Sequence, residues 1–382
     1  MEVVTAEVES AIVMSLIGKR TIKLANVDIT SKLTEFIRFI KAISHSQISV
    51  SERAVEVVPG SLSGGKLAFS SETQPSSYFI YHLLPIAAYF KTPIRLTVRG
   101  STNRTGHMSI DLVKSVYCKI LADFGVVSDI KIVRRALFPC TDGEVLFLSE
   151  VGESLSPVRN DKREALSRII NINYINKLSA DIIIRITNLH RDTLKKITSS
   201  VKVYNDLGQK AKAAQPKEAT RPEQPPAKTE PKTGPKPENP PQSNYGYGSV
   251  VIGNSKNSVY YAEYIVDGTA SLLDQTPESR SAAMLDELIR SIRRSGAYDY
   301  KTQPFLFMLL PLTTPDASCL LIRRIDKRGK EVLRLAEDLL KYKYTLEKHQ
   351  RTEEDVNTGV STELLLIKSF GVGYENVHRC KG

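Results

Sequence analysis

The stretch Leu96–Asn103, LTVRGSTN, decides the fold class of this 382-residue chain. Its first residues are apolar or β-branched and end a predicted strand that begins at Ile94, and a glycine then closes the strand. Residues 109–124 follow as a predicted helix, because Ile110, Val113 and further apolar residues recur at helical spacing. A strand that leads directly into a helix is typical of a layered α/β fold.

The same alternation extends outward in both directions from this stretch. Upstream and downstream, helical spacing predicts helices and short β-branched runs predict strands. Their recurrence indicates a repeated supersecondary unit, although no fixed sequence period is visible. The predicted helices are Ser31–His45, Ser76–Phe90, Pro277–Arg294, Gln303–Leu310 and Lys330–Tyr342, and the predicted strands include Ala54–Val58, Ile130–Val133, Ser249–Ile252, Tyr260–Val266 and Cys319–Arg323.

Residues 207–243 interrupt the alternation. Nine of the nineteen prolines lie there among Lys, Glu, Gln, Thr and Ala. This composition cannot bury enough apolar surface to offset the entropy of ordering, so it predicts a flexible linker that spans on the order of 35 Å as a coil. Two interpretations stay open: a basic, proline-rich docking tail, or an expanded surface loop between two strands of one domain.

The overall charge favours an anionic partner. The chain has 53 Lys and Arg against 42 Asp and Glu, a formal net charge of +11, which attracts RNA through phosphate neutralisation and counterion release. The alternative is a basic surface without a specific partner. Four cysteines, widely spaced, fit neither a disulfide framework nor a paired zinc site; they are Cys118, Cys140, Cys319 and Cys380.

The compartment follows from the same features. Sparse cysteines predict reducing surroundings, and the acidic start of the chain does not resemble a signal peptide. No apolar run approaches the roughly 18 residues of a membrane span. We therefore expect a cytosolic or nuclear protein without a membrane partner.

Three segments carry a family resemblance. They are Val58–Lys66 (VPGSLSGGK), Leu96–Asn103 with the helix start Ser109–Asp111, and Lys131–Pro139 followed by Thr141–Val145. Together they resemble the RNA 3′-terminal phosphate cyclase family. The ending Ile367–Gly373 with its basic tail is similar to one branch of that family, the nucleolar and non-catalytic cyclase-like proteins.

The resemblance implies a specific domain organisation. It predicts an α/β large domain of three repeated units, each with two helices on a four-stranded sheet, and a smaller inserted α/β domain. The boundaries that we predict are 1–158 for the first two units, 159–266 for the insert with the linker inside it, and 267–382 for the third unit and the tail.

The departures from the family concern catalysis. Active cyclases carry a nucleophilic histidine four residues before a glutamine, and here Asp299 occupies that position before Gln303. A carboxylate cannot replace an imidazole that must attack ATP and carry AMP. The family's glycine-rich nucleotide segment is also missing, and we predict an apolar, strand-like run at Ala11–Lys19 in its place. We therefore expect no enzyme activity and no cofactor.

Other sequence features give no catalytic or metal site. The segment Gly64–Lys66 lacks the remaining residues of a phosphate loop, so it predicts a turn, with a retained anion cradle as the alternative. His82 and His107 have no partner at metal-ligand spacing, which indicates structural roles and no metal.

Two sets of basic residues are candidate binding sites. Cations at predicted strand ends match phosphate groups, although they equally fit a solvated rim. A second cluster between a strand and a helix suits an acidic partner segment or a solvated face. The RNA or anion candidates are Lys66, Arg99, Asn103, Arg104, Arg134, Arg135 and Lys301; the partner candidates are Arg323, Arg324, Lys327, Arg328 and Lys330.

The resemblance also implies partners and a function. We expect a non-catalytic assembly factor for small-subunit pre-rRNA processing in the nucleolus. Its expected partners are a large nucleolar GTPase, small-subunit processome proteins and pre-rRNA, and it is expected to be a monomer outside the particle. The alternatives are an RNA 3′-phosphate cyclase, a pre-rRNA endonuclease, or an RNA-binding module without a protein partner.

Overall fold

A computed structural model of the protein describes residues 1–208, 244–269, 275–357, 359–376 and 379. Over these residues the chain forms four-stranded mixed sheets with helices packed against them. The predicted α/β fold class is confirmed. The linker was predicted at 207–243, and residues 209–243 of it lie outside the described residues.

The first unit follows the order strand–helix–strand–helix–strand–strand. Its second helix begins at Ser31 because the Thr30 side chain accepts a hydrogen bond from Leu33 N at 3.2 Å, and it buries Phe36 and Ile40 against the sheet. The elements are β1 (Glu2–Val3), α1 (Val8–Gly18), β2 (Ile22–Ala25), α2 (Ser31–Ile43), β3 (Gln47–Val50) and β4 (Ala54–Val58), with the strand order β1-β2-β4-β3.

The second unit repeats this order. Its second helical segment begins at Ile110, where the Ser109 side chain accepts from Leu112 N and the Asn103 side-chain oxygen accepts from Ile110 N. A π turn at Val113–Tyr117 interrupts the segment. The elements are β5 (Gly65–Ser70), α3 (Ser76–Leu83), β6 (Ile94–Arg99), α4 (Ile110–Leu112), α5 (Cys118–Asp123), β7 (Ser128–Arg134) and β8 (Glu144–Ser149), with the strand order β5-β6-β8-β7.

The third unit starts with a short strand, β9 (Arg159–Asn160), and an insert follows. The insert's own sheet has the order β11-β10-β12-β13, and two helices pack with it. Its elements are β10 (Arg168–Asn176), α6 (Asp181–Leu194), β11 (Val201–Asp206), β12 (Gly246–Asn254), β13 (Val259–Val266) and α7 (Pro277–Arg294).

After the insert, the third unit resumes and completes its sheet in the order β9-β14-β16-β15. The strand β9 pairs in parallel with β14, as β1 pairs with β2 and β5 with β6. The architecture is therefore a threefold repeat of one unit. The remaining elements are α8 (Gln303–Leu309), β14 (Ala317–Arg323), α9 (Lys327–Leu340), β15 (Lys343–Lys348), α10 (Glu353–Asn357) and β16 (Leu364–Phe370).

The limits of the insert differ from the predicted ones. The predicted boundary after Val266 separates β13 from α7, whereas α7 packs on β13 and on α6. The predicted start of the insert at Arg159 takes in β9, whereas β9 belongs to the third sheet. Packing therefore assigns α7 to the insert and β9 to the third unit.

The run Ala11–Lys19 was predicted to be strand-like, and this prediction is wrong. Residues 8–18 form the helix α1, in which every residue from Ser10 to Ile17 is buried. Because α1 is covered on all sides, by α3 and α9 among other elements, it has no polar face and no helical periodicity in its sequence.

The segment Gly64–Lys66 was predicted to be a turn, whereas Gly65 and Lys66 are the first residues of β5 and only Gly64 precedes that strand. Gly64 and Gly65 have φ angles of 80° and 78°, a region that favours glycine. A Cβ atom at Gly64 would lie 2.1 Å from the carbonyl oxygen of Thr92, so a larger residue has no room there. In the described part of the chain, no helix is long and apolar enough to cross a bilayer.

Candidate functional site

The first turns of several helices surround one cleft between the three units and the insert. The cleft has a volume of about 560 Å³ and receives residues from the starts of α1, α2, α3 and α9, and from the segments that lead into α4 and α8. We call it the central cleft. His107 lines the cleft, as do the residues used below: Glu7, Glu9, Lys32, Tyr78, His82, Tyr261, Lys301 and Arg328.

The topology of the repeated unit explains this convergence. In each unit a strand leads into a helix, another strand and a second helix, and the two strands are parallel. The helices therefore begin at the same edge of each sheet. Helix N-termini carry free N–H groups and a partial positive charge, so a cleft surrounded by them favours anions.

Two carboxylates partly neutralise the cleft. Glu9 accepts a hydrogen bond from the Tyr78 hydroxyl at 2.8 Å and forms an ion pair with Lys32 at 2.8 Å. Burial alone would raise the pKa of Glu9, but at the low pH where Glu9 titrates the protonated His82 ring, together with the hydrogen bond and charge of Lys32, outweighs burial and lowers this pKa to about 2. Glu7 pairs with Arg328 at 2.9 Å.

His82 is held in one tautomer. Its Nδ1 lies 2.8 Å from the carbonyl oxygen of Tyr78, which can only accept, so Nδ1 carries the proton and Nε2 keeps its lone pair. Burial lowers the pKa of His82 to about 4, so the ring is neutral at pH 7. The predicted structural role fits its ring contact with Phe36, at 5.1 Å between centroids.

Lys301 occupies the side of the cleft that the insert provides. Its ammonium group donates to the carbonyl oxygen of Tyr261 at 2.8 Å and lies 4.3 Å from the centre of the Tyr261 ring. It also lies 3.5 Å from Glu287 and 3.6 Å from Asp299. The turn before α8 thus supplies a cation to the side of the cleft that Tyr261 of the insert lines, although carboxylates compensate its charge.

Asp299 is a buried structural residue. Its side chain has no exposed surface and accepts hydrogen bonds from Tyr261 N at 3.0 Å, from Lys301 N at 3.0 Å and from the Ser291 hydroxyl. These bonds join β13, α7 and the turn before α8. At the position where the resemblance places a catalytic histidine, the chain therefore has a carboxylate. Backbone and side-chain donors of the same chain already occupy the acceptor sites of this carboxylate.

The arrangement of charges in the cleft suits the binding of an anion. It combines helix N-termini with three cations, and two of its carboxylates already pair with cations. Over the described residues, no group of three His, Cys, Asp or Glu side chains is arranged to hold a metal ion. The arrangement suits a phosphate group that replaces or joins the carboxylates at Lys32, Lys301 or Arg328.

Three of the predicted RNA residues are used inside the protein. Arg135 forms a bidentate ion pair with Asp111 at 2.6 and 2.9 Å and also binds Asp206 at 2.9 Å, so it joins the second unit to the insert. The charges of these carboxylates outweigh burial and raise the pKa of Arg135 further. Asn103 is buried at the start of α4, and Arg104 donates to the carbonyl oxygen of Thr73 at 2.6 Å.

Three other predicted RNA residues lie together on a different surface. Lys66, Arg99 and Arg134 project from β5, β6 and β7 on the face of the second sheet that no helix in the described part of the chain covers, and all three are exposed. Of the seven RNA candidates, only Lys301 lines the central cleft.

The predicted partner cluster is divided. Arg328 lines the cleft, and the Arg323 guanidinium lies 4.8 Å from the centre of the Tyr300 ring. The other three residues are exposed near the start of α9, without an ion pair to any described residue; they are Arg324, Lys327 and Lys330.

Glu7, Glu9 and Lys32 were not among the site residues predicted from the sequence. Their signal was their position: Glu9 and Lys32 lie in the first turns of two helices that follow consecutive parallel strands. Two such helices begin side by side, which brings residues 23 positions apart into one site.

The chain belongs to the RNA 3'-terminal phosphate cyclase family, whose sequence model matches residues 7–346. The resemblance inferred from the sequence is confirmed. The RNA 3'-terminal phosphate cyclase-like proteins of Bos taurus and Homo sapiens are each 23% identical to it over 360 residues, covering 90% of this chain and 86% of the relative. The rRNA processing protein rcl1 of Schizosaccharomyces pombe is 23% identical over 355 residues, with the same coverage.

Proposed function

We propose that this protein is a non-catalytic factor in the processing of small-subunit pre-ribosomal RNA. Membership of the cyclase family and the similarity to a relative named as an rRNA processing protein support this assignment. In this proposal the protein works in the nucleolus, as a scaffold that contacts pre-rRNA and a large ribosome-assembly GTPase, and it is a monomer outside the particle.

The observation that carries the non-catalytic assignment is the state of Asp299. A nucleophile for nucleotidyl transfer needs a free lone pair that faces the substrate. The Asp299 carboxylate is fully buried and bound by two backbone N–H groups and one hydroxyl. Its role is to fix the turn before α8, which supports a family fold retained for binding.

The partner surface that we propose for the GTPase lies around the start of α9. Arg324, Lys327 and Lys330 are exposed there and carry no compensating carboxylate within 4 Å among the described residues. Such a group suits an acidic segment, since opposite charges steer association and fix the register of docking.

Purification of the tagged full-length chain from its own cells at moderate salt tests the proposal, with both proteins and RNA identified. We expect a large GTPase and small-subunit pre-rRNA. A matched variant with Arg324, Lys327 and Lys330 changed to glutamine should lose the GTPase and keep its melting temperature. Recovery of neither GTPase nor pre-rRNA with the wild-type chain would refute the proposed function.

One observation favours the enzymatic alternative enough to test it. His82 is neutral at pH 7, and its Nε2 lacks a hydrogen-bond partner among the described residues while its side chain lines the cleft. We expect no radiolabel on the purified chain after incubation with α-labelled ATP and magnesium. Labelling that is absent from His82→Ala would show that a different histidine performs the chemistry.

A further inference from the structure

The second sheet has one face that none of the described helices covers. In β6, Ile94, Leu96 and Val98 are buried against the core, and the residues between them point to the opposite side. The register of β5, β6, β8 and β7 places the outward residues of all four strands on one surface. We call this surface the outer face of the second sheet.

This outer face is rich in cations. Lys66 lies beside Arg95, and Arg99, Glu144 and Arg134 lie side by side across three strands. All five cations are exposed, and among the described residues only Arg99 has a carboxylate partner, Glu144 at 3.0 Å. The full set of cations is Lys66, Arg95, Arg99, Lys131 and Arg134, against the carboxylates Asp129 and Glu144.

The outer faces of the other two repeated sheets are different, although their architecture is the same. On the first sheet, Lys23 lies between Glu2 and Glu56 in register, so carboxylates outnumber cations. On the third sheet, Lys368 pairs with Glu347 at 2.6 Å, and the same face carries two exposed cations without a carboxylate partner among the described residues, Lys343 and Arg159, against four on the second sheet. The density of unpaired cations on the second sheet is therefore a property of these residues rather than of the fold.

We propose that the outer face of the second sheet binds the phosphate backbone of RNA. This inference rests on the proposed function, in which RNA is a partner, and it assigns the contact to a surface separate from the central cleft. The site is sequence-independent, because its cations reach phosphates and none of its outward side chains is a ring on which a base can stack.

The composition of the face favours RNA over an acidic protein segment. Protein interfaces are depleted in lysine and depend on aromatic anchors, whereas nucleic-acid interfaces are polar and strongly positive. The outward residues between the cations are Ala68, Thr97, Leu146 and Leu148, which provide no aromatic anchor. A protein partner is therefore the weaker match, and it is an outcome that the test distinguishes.

The dimensions also fit several phosphates at once. Arg95 and Arg99 are four residues apart on β6, which is about 13 Å along the strand, and three strand spacings from β5 to β7 add about 14 Å across the sheet. A surface of this size contacts a backbone at several points, so the salt dependence of binding is expected to be steep.

The test measures the affinity of the full-length chain for an unstructured RNA of about 20 nucleotides by fluorescence anisotropy, between about 50 and 200 mM salt. The test variant carries Lys66→Gln, Arg95→Gln, Lys131→Gln and Arg134→Gln. Arg99 stays, because its removal would leave Glu144 unpaired. The matched control replaces four exposed cations elsewhere that have no ion pair to a described residue: Lys41, Arg53, Lys196 and Arg294.

We expect the test variant to bind at least about tenfold more weakly at 100 mM salt, and its log–log salt slope to fall by about 2 to 3. The control variant and a swap that exchanges lysine and arginine at the same four positions should bind like wild type. Equal melting temperatures for all four chains show that the folds are intact.

Two outcomes would overturn the inference: wild-type affinity in the test variant, or an equal loss in the control variant. A third outcome would show that the surface is a site for an acidic protein segment instead. In that case, excess polyglutamate displaces the RNA from the wild-type chain, and polyglutamate itself binds the wild-type chain but not the test variant. Recovery of pre-rRNA in the cellular purification with the test variant, despite lost RNA affinity, would mean that protein partners carry the association, and the proposed function would stand without this surface.

Discussion

Replacing Asp299 with alanine tests whether this carboxylate is a structural part of the protein. In the folded chain, Asp299 accepts hydrogen bonds from Tyr261 N, Lys301 N and the Ser291 hydroxyl, and Lys301 Nζ lies 3.6 Å away. Alanine removes the acceptor and keeps the donors buried. The substitution therefore leaves three donors without a partner in a place that water does not reach.

The size of the effect follows from those contacts. A buried donor that loses its acceptor costs about 1–3 kcal/mol, and three such donors would cost three times as much. We expect a cost in the lower half of that summed range, because a side-chain donor can rotate to a new partner. We expect Asp299→Ala to lower the free energy of unfolding by about 4 kcal/mol. Asp299→Asn keeps one oxygen and should lose about half as much.

Urea-induced unfolding of the full chain, followed by circular dichroism, measures both losses. Asp326→Ala is the matched control, because Asp326 accepts a single hydrogen bond, from Gly329 N at 2.7 Å, at the start of α9. A lost N-cap costs about 1 kcal/mol. If Asp299→Ala were no more destabilising than Asp326→Ala, the carboxylate would be free for another role, and the argument against catalysis would fail.

Three further predictions concern the insert. Burial, opposed by hydrogen bonds from Ser109, raises the pKa of Glu263 from 4.5 to about 7. Its contribution to stability is therefore full below about pH 4.5 and is lost as the pH rises through 7. Relative to wild type, the free energy of unfolding of Glu263→Gln should rise by up to about 3 kcal/mol between about pH 5 and pH 9, and by less where the partial exposure of the side chain weakens the effect. Unfolding curves that give the same difference between the two chains at both pH values would contradict this. Arg135→Met should cost roughly 3–5 kcal/mol because it leaves the buried Asp111 unpaired, and adding Asp111→Asn should recover part of the loss, whereas strictly additive losses would exclude the coupling. Deleting Gly208–Gln242 should leave the melting temperature nearly unchanged, because β11 and β12 lie two strand spacings, about 10 Å, apart and the remaining residues can bridge them; a fall of many degrees would contradict it.

Helices and strands were predicted well from the sequence where one face of the element is buried and the other is exposed to solvent. The helix Pro277–Arg294 and the strand Ala54–Val58 have the predicted bounds, because their apolar residues repeat with a helical or strand period. The helix α1 was missed since all its sides are buried, which removes the period. The two-residue strand β9 has no pattern to detect, so the limits of the insert could not be predicted.

The candidate sites show a similar division. Chain position correctly placed Arg99 and Arg134 at the ends of strands, whereas Lys66 was predicted in a turn and lies in β5. Chain position could not show that Arg135 forms ion pairs with Asp111 and Asp206. These partners are 24 and 71 residues away in the sequence and become neighbours of Arg135 only when the sheets pack together. A strand-end arginine is exposed by default, and only the tertiary contact decides whether it is free for a ligand.

The pairing of β9 with β14 has a consequence for the order in which the chain folds. Arg159 pairs with Cys319, whereas the first two sheets complete themselves within short stretches of sequence. During synthesis the first two units can therefore pack while the insert is still emerging from the ribosome. The third sheet must wait for its edge strand to meet residues made much later, so it closes last and carries the largest loop-closure cost. The start of α9 and the cation Lys301 become fixed only in that final step, and a chain arrested before it would present the second sheet's outer face without a completed central cleft.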